Sequence, residues 1–560
     1  MNWRAKAYTY RGRIGWLLLL LLDTAVFTFI TRQIITFQQY PFDSDEASHT
    51  LGGLDMALAL RAGAVSEFVA AFGRQNFYPP GVAWLKALAF IAFGDTILVA
   101  RLFSAVCFFL AVLLVYAIGQ QIDRQYGWLS GLIAAGLTLT MQSLLITSAL
   151  VMLEAPGLLV SLLLLWVYLR ALARPSRGRL ILVSFLLALT ILTKYTYGAV
   201  ALGAVGLMEL SLCRPSTSAI QSQIKERWLW LFGPLALVML LWIANPLTLA
   251  GVFDYAQPLP SNEPWLSLDG LQFYPLSLAL HDVPAPLFAL VSVAGLAWAV
   301  VHWRNPGIRL LLLYFLLGMG LIMLVNHPHN YRFIAPFVPA LHLLTAVMLT
   351  NLLDIAKNRW DETGKGGRTA VVMVTILLLL AGLQSIVVLS DRFRQYPSVM
   401  EVEIETDPAL NKMAIWLQMQ IPPGSRFFML NYWDQFSPEA IAWRLGQQAV
   451  PIPEATMPAA VLTAASPATL QTLQQSLAAQ QTEYVVVLEG GPWGTAAWPE
   501  YTQIIETDYD EMSRNQFTIP LYSVGDWLDT HLLTMPAWEE VKADGRTELH
   551  IQAIVYRRAN

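Results

Sequence analysis

The chain has 560 residues, of which 56% are hydrophobic and 13% charged, against about 25% charged in soluble proteins. So few polar side chains cannot cover a string of soluble domains, and the composition instead fits a polytopic membrane protein. The net charge of −4 divides unevenly: residues 1–390 hold 18 acidic and 25 basic residues (net +7), and residues 391–560 hold 21 and 10 (net −11). That split separates a basic membrane part from an acidic, solvated one. Cys107 and Cys213 lie in or beside apolar runs, which excludes a disulfide scaffold and a thiolate metal site.

The first apolar run, about 14–37, follows Arg4, Lys6, Arg11 and Arg13. It is longer than a signal-peptide core and lacks a small-residue cleavage site, so it reads as a retained helix. Crossing the hydrocarbon takes about 20 apolar residues. Further candidate spans fall at 97–119, 127–147, 155–171, 179–193, 195–212, 228–246, 283–302, 308–325, 333–353 and 369–390. With the N-terminus inside, the inner segments hold 18 Lys plus Arg and the outer ones five. The positive-inside bias therefore gives an N-in, C-out topology.

The expected fold is an all-α polytopic transmembrane bundle of about 11 helices over residues 1–390, with a soluble extracytoplasmic α/β domain over 391–560. The outer connections are unequal. One runs over about 38–96, broken by Pro41, Pro79 and Pro80, with an apolar stretch Leu51–Leu60 that could lie along the membrane surface. Another runs over about 247–282 and holds Pro258, Pro260, Pro264 and Pro275 with Trp265, Phe273 and Tyr274. The inner connections are short, which puts function on the outer face. In the acidic domain, a helical pattern over Asp407–Gln420 precedes strand-like runs at Arg426–Leu430, Tyr484–Leu488 and His550–Tyr556, with a helical stretch at 466–480. Repeats are not evident. Gly490-Gly491 is too little for a nucleotide loop, and nothing points to nucleic acid.

Four outer-face groups could carry chemistry. Asp43-Ser44-Asp45-Glu46 can act as general base or hold a divalent cation, or simply cap a helix beginning near Ala47. Glu154 is the only charge between Arg124 and Arg170, at a helix boundary next to Pro156. An isolated carboxylate there faces a cavity or a partner, or caps the helix. Lys194 is the sole charge of a tight turn, able to neutralise a phosphate or to snorkel. Arg332 lies in Asn326-His327-Pro328-His329-Asn330-Tyr331-Arg332-Phe333, where a guanidinium suits a phosphate and the two His could ligate metal. Asp23, inside the first span, reads as neutral or paired rather than catalytic.

These residues, in this order, resemble the membrane glycosyltransferases of the C superfamily (GT-C fold), in particular the glycosyltransferase family 39 group of protein O-mannosyltransferases and aminoarabinose transferases. The matching elements are Asp45-Glu46 in a long first outer loop, Tyr78-Pro79-Pro80 before Gly81-Val82-Ala83-Trp84-Leu85, Phe93-Gly94-Asp95, and Arg101-Leu102. Glu154-Ala155-Pro156 is similar to the group's acidic-Ala-Pro element, where Asp is commoner. Leu192-Thr193-Lys194 resembles its Thr-Lys turn, although Tyr195 follows where Gly is frequent. Tyr331-Arg332-Phe333 through Pro336 and Pro339 resembles its Arg-Tyr-x-x-Pro segment. The resemblance spans about residues 40–345. No β-trefoil insert of the eukaryotic mannosyltransferases is evident, which points to a prokaryotic protein.

The resemblance implies transfer of a sugar, with inversion, from a polyprenyl-phosphate donor to an acceptor hydroxyl on the outer face of the cytoplasmic membrane. It implies Asp45 as general base with Glu46 assisting, Glu154 orienting hydroxyls, and Lys194, Arg332 and Tyr331 at the donor phosphate. Tyr78, His329, His49 and Tyr195 would contact substrate. No metal ligand set is assigned, and a divalent cation is the one cofactor the reading leaves open. The acceptor class, whether protein, lipid or polysaccharide, stays open. The competing readings are a lipid or sugar transporter, which would place its site at the bilayer midplane, and a membrane-anchored interaction protein.

Overall fold

The computed structural model describes residues 3–38, 44–74, 78–123, 125–212, 218–244, 248, 268–325, 330–362, 365–404, 408–422, 425–430, 473–475, 477–478, 481–489, 498–520 and 548–559. Each of the eleven expected runs contains helix among the described residues. Among the described residues, seven helices are long and apolar enough to cross a membrane, or up to nine if each of two bent pairs is one span. The chain divides into two compact units. One comprises Met1–Ile35, Gln75–Val82 and Ala100–Pro397; the other comprises Thr36–Arg74, Ala83–Val99 and Ser398–Asn560.

Two expected spans are broken, for local reasons. The run expected over 127–147 forms Gly127–Leu139 and Gln142–Ala149, bent by 64°. At the break the Thr140 hydroxyl donates to the Leu137 carbonyl at 2.8 Å, competing with helical continuation. The span expected over 283–302 begins at Pro286 and follows Leu271–Asp282 at 117°. Val283 and Ala285 each precede a proline and take extended backbone, as that position requires. The stretch before them was expected to be loop. It is helix Leu268–Ser277 followed by a π-turn, Leu278–Asp282.

Glycines set the closest helix approaches in the first unit. A Cβ on Gly119 would lie 2.5 Å from Gly131 Cα, and one on Gly127 2.7 Å from Gln120 Cα. Helices Ile97–Ile122 and Gly127–Leu139 thus meet backbone to backbone, a common device between membrane helices.

The expected first outer loop contains helices Ser44–Arg61 and Val65–Arg74, in the second unit, and Gly81–Phe93, which belongs to that unit from Ala83 on. Leu51–Ala57 is buried, so it does not lie along a membrane surface as expected. Its Gly53 meets Lys86 Cβ, where an added Cβ would sit at 3.1 Å. The next helix, Val65–Arg74, leaves Val65 and Val69 74% and 61% exposed. Gly94 turns at φ +93°, and Arg61 ties that turn down through Asp95 (3.4 Å) and the Phe90 carbonyl.

The helix expected to end near 390 continues to Ile404, and unit 2 takes up the chain at Ser398. Beyond it lies a four-stranded sheet of order β1-β2-β4-β3, with β1 Phe427–Leu430, β2 Tyr484–Glu489, β3 Tyr509–Pro520 and β4 Glu548–Arg558. β1 and β2 are parallel, and the other pairings are antiparallel. Three strands match the expected runs; β3 was not anticipated. Val485, Val487, Ile554 and Tyr556 pack with Tyr501 and Ile505 to form its core. Of the stretch 466–480, residues 473–475 and 477–478 are described, and these are helical.

Candidate functional site

Glu154 opens helix Glu154–Ala173, where the helix dipole favours a carboxylate. Lys194 is the C-cap of helix Arg177–Thr193, where the dipole favours a cation. The helices therefore deliver opposite charges to one place: Lys194 Nζ donates to Glu154 Oε1 at 3.3 Å, with the side chains 10% and 3% exposed. Tyr197 OH donates to the same oxygen at 3.3 Å. Gly157, one helical turn into Glu154–Ala173, gives the Tyr197 ring its room, because a Cβ there would collide with Cδ2 and Cε2.

The segment Tyr331–Ile334 joins this cluster as a 3₁₀ turn, capped by the Asn330 side chain accepting from Arg332 N at 3.0 Å. Its Phe333 ring lies 4.8 Å from Lys194 Nζ and 5.4 Å from Arg332 Cζ. Arg332 also donates to Met152 Sδ at 3.3 Å, two residues before Glu154. Of the residues singled out in the sequence, Lys194 and Arg332 thus stand against one aromatic ring, and Glu154 pairs with Lys194. Tyr195 and Tyr331 are half-buried beside them in sequence.

Tyr78-Pro79-Pro80-Gly81 docks on the Thr193-Lys194 turn. A Cβ on Gly81 would stand 2.6 Å from the Leu192 carbonyl oxygen. Thr193 is buried and spends its hydroxyl on Leu189 O at 2.8 Å.

Asp45, Glu46 and His49 belong to the second unit. Asp45 and Glu46 occupy the first turn of helix Ser44–Arg61 rather than a loop ahead of a helix at Ala47. Glu46 is 1% exposed, Asp45 is half-buried, and the His49 carbonyl accepts from Lys86 Nζ at 2.8 Å. Asp43, His327 and His329 lie outside the described residues. Among the described residues, no three His, Cys, Asp or Glu side chains converge as metal ligands.

Sequence reasoning missed the neighbours of Tyr331. The His281 ring stacks on Tyr331 (centroids 5.2 Å apart, planes at 28°), carried there by the π-turn, a distortion frequent at functional sites. Asp282 is fully buried and accepts from Ser143 Oγ. Arg392, from helix Lys365–Ile404, clamps the turn through the carbonyls of Leu280 and His281, the latter at 3.0 Å. A signal was present: Asp282 is the only acidic residue between Asp269 and Asp354, an isolation as telling as that of Glu154.

Solved structures share this architecture. ArnT from Cupriavidus metallidurans, solved bound to undecaprenyl phosphate, superposes with a TM-score of 0.50 at 14% identity, over 96% of this chain and 98% of that one. Its apo state gives 0.51 over the same shares. The archaeal oligosaccharyltransferase AglB from Archaeoglobus fulgidus, in complex with an inhibitory peptide and a dolichol-phosphate, gives 0.51 at 13% identity, over 88% of this chain and 73% of that one. The chain shares its fold with ArnT and AglB. Within it, residues 78–244 match the family described as dolichyl-phosphate-mannose-protein mannosyltransferase, a segment that carries the Tyr78–Gly81, Glu154–Gly157 and Thr193-Lys194 elements. No curated protein matches the chain by sequence.

Proposed function

We propose that this protein is an integral membrane glycosyltransferase that moves a sugar from a polyprenyl-phosphate donor to an acceptor hydroxyl at the outer membrane surface, with inversion. The observation that carries the reading is the buried Lys194–Glu154 pair, with Lys194 and Arg332 both against the Phe333 ring. An ion pair held in a membrane bundle is costly and marks a polar substrate more often than a stability device. Lys194 has three donors and spends one on Glu154, so it can also meet a phosphate oxygen. The undecaprenyl phosphate and dolichol-phosphate bound by the two solved neighbours support the donor class.

In this reading the acceptor oxygen attacks the anomeric carbon from the face opposite the phosphate, and Asp45 takes its proton. The bond from the anomeric carbon to the phosphate oxygen breaks, and its electron pair leaves with the polyprenyl phosphate. Lys194 and Arg332 stabilise the charge that develops there, a contribution of about 10²–10³ in rate for such donors. Glu154 holds Lys194 in place and orients a hydroxyl. The active site and the C-terminal domain face the outside of the cytoplasmic membrane in this reading, which the Lys and Arg bias of the connections supports.

The test is release of polyprenyl phosphate from a labelled lipid-linked sugar by the purified protein in detergent. Asp45→Asn is expected to abolish release while expression and membrane insertion stay normal. Undiminished release in that variant removes Asp45 from the chemistry, and no release by wild type with any donor sugar ends the reading.

A further inference from the structure

Helix Glu154–Ala173 has a second polar end. Where Leu169, Leu172 and Ala173 finish it, the bundle opens into a cavity of about 760 Å³. Glu154 and Ala173 are separated by about 28 Å of helix axis, close to the hydrocarbon thickness. The cavity is therefore a separate site, at the face that the Lys and Arg bias assigns to the cytoplasm. Its walls are helix ends: Gln121-Ile122 closing one helix, Trp298 and Val301 near the close of another, and Pro306-Gly307-Ile308 opening a third.

The lining sorts by chemistry. Ile122, Leu169, Leu172, Val301, Ile308 and Val347 make an apolar surface. Asp123 also lines the cavity, but its oxygens are already engaged by Gln125 N and Tyr126 N (both 2.9 Å), Ser130 Oγ (2.6 Å) and Thr350 Oγ1 (3.0 Å). Asn305 Oδ1 is likewise spent, on Gly307 N at 2.9 Å. Two groups stand out. Gln121 Oε1 is buried and has no donor among the described residues. Arg304, exposed at the rim, forms no ion pair among the described residues. A buried acceptor without a donor among the described residues is one that a ligand can satisfy.

The volume suits a small ligand or head group, within the usual range of about 300–1,000 Å³. A guanidinium, an acceptor for a hydroxyl or amine, an apolar wall and, among the described residues, no unspent anion complement a molecule with a phosphate, a hydroxyl donor and a hydrocarbon tail. The surroundings are those of a bilayer interface. The Trp298 and His302 rings stack at 4.2 Å on the cavity wall, Val301 is 78% exposed, and Trp303 is 40% exposed next to Arg304.

We infer that this cavity binds an anionic phospholipid of the adjoining leaflet through a glycerol-type head group. Arg304 takes the phosphate, Gln121 Oε1 accepts from a head-group hydroxyl, and the acyl chains follow Val301 out of the bundle. The inference stands apart from the sugar-transfer reading and uses none of its residues.

The test uses the full chain in detergent, stripped of lipid and titrated with phosphatidylglycerol under native mass spectrometry. One lipid is expected to stay bound to wild type and to weaken about tenfold in Arg304→Glu, given roughly 1 kcal/mol per Arg at an anionic surface and reversal of the charge. Arg304 is exposed, so its replacement removes no packing. Leu172→Trp, which fills the cavity and keeps Arg304, is expected to lose the lipid too. A phosphatidylglycerol with a photoreactive tail is expected to label peptides containing residues 169–173 or 298–308. Wild-type retention in both variants, equal retention of phosphatidylcholine, or labelling confined to other peptides overturns the proposal. Displacement by inorganic phosphate or glycerol phosphate at matched concentration overturns it in favour of a soluble phosphate ligand.

Discussion

Lys194 and Arg332 stand against one ring, that of Phe333, at 4.8 Å and 5.4 Å from its centroid. Glu154 offsets the Lys194 charge at 3.3 Å, and the negative face of the ring lowers the cost of holding both cations beside it. Each cation–π contact contributes about 0.5–1 kcal/mol. Phe333→Leu keeps apolar bulk and removes the quadrupole. The expected outcome is a donor KM raised about five- to tenfold with kcat changed less, measured by initial rates of polyprenyl phosphate release. An unchanged KM would separate the ring from the phosphate site.

The Glu154–Lys194 pair predicts a coupling. Lys194→Ala leaves a carboxylate buried without its cation, a loss of about 3–5 kcal/mol in such pairs. Lys194→Met combined with Glu154→Gln removes both charges and is expected to regain most of that stability without regaining transfer. Thermal unfolding in detergent reads the first quantity and donor turnover the second. Strictly additive destabilisation would mean that the two side chains do not support each other.

Much of this arrangement was legible in the sequence because isolated charges in apolar surroundings are informative. Glu154, Lys194 and Arg332 were each singled out by type and position, and the structure brings them together. The breaks were not legible: hydropathy runs through Thr140 and through Pro284 without a pause, whereas backbone hydrogen bonding does not. The π-turn at Leu278–Asp282 was hidden for the opposite reason, because the prolines and aromatics before it read as loop. Leu51–Ala57 was misplaced because apolar composition alone does not distinguish a buried helix from an interfacial one. Strand β3 escaped because Tyr509–Pro520 is polar and mostly exposed, so it lacks the alternation that marks a half-buried strand.

Arg392 holds the π-turn from a helix distant in sequence, and His281 on that turn supports Tyr331 by stacking. Arg392→Ala is therefore expected to raise donor KM several-fold, with a stability loss of about 1–3 kcal/mol for the carbonyls left without a charged donor. Arg392→Lys is expected to recover part of both, since an ammonium reaches fewer carbonyls than a guanidinium fork. A variant with lowered stability and unaltered KM would show that the clamp holds the fold but does not set the geometry of Tyr331.

Glycine positions give the sharpest packing test. At Gly81 an added Cβ would lie 2.6 Å from Leu192 O and 2.8 Å from Leu192 C, backbone atoms that cannot rotate away. Gly81→Ala must push the Tyr78-Pro79-Pro80 segment off the Thr193-Lys194 turn, with a cost of about 1–3 kcal/mol for overpacking. Because Lys194 sits on that turn, transfer is expected to fall further than stability alone explains. Gly136 and Gly206 are the controls: both are helical, and a Cβ on either meets nothing within 4 Å. Gly136→Ala and Gly206→Ala are expected to be neutral or to stabilise by up to about 1 kcal/mol through helix propensity. Unfolding midpoints and donor turnover for the three variants decide the matter. If Gly81→Ala behaves like the controls, the proline segment does not rest on the lysine turn, and the path from the Tyr78 motif to the phosphate site is lost.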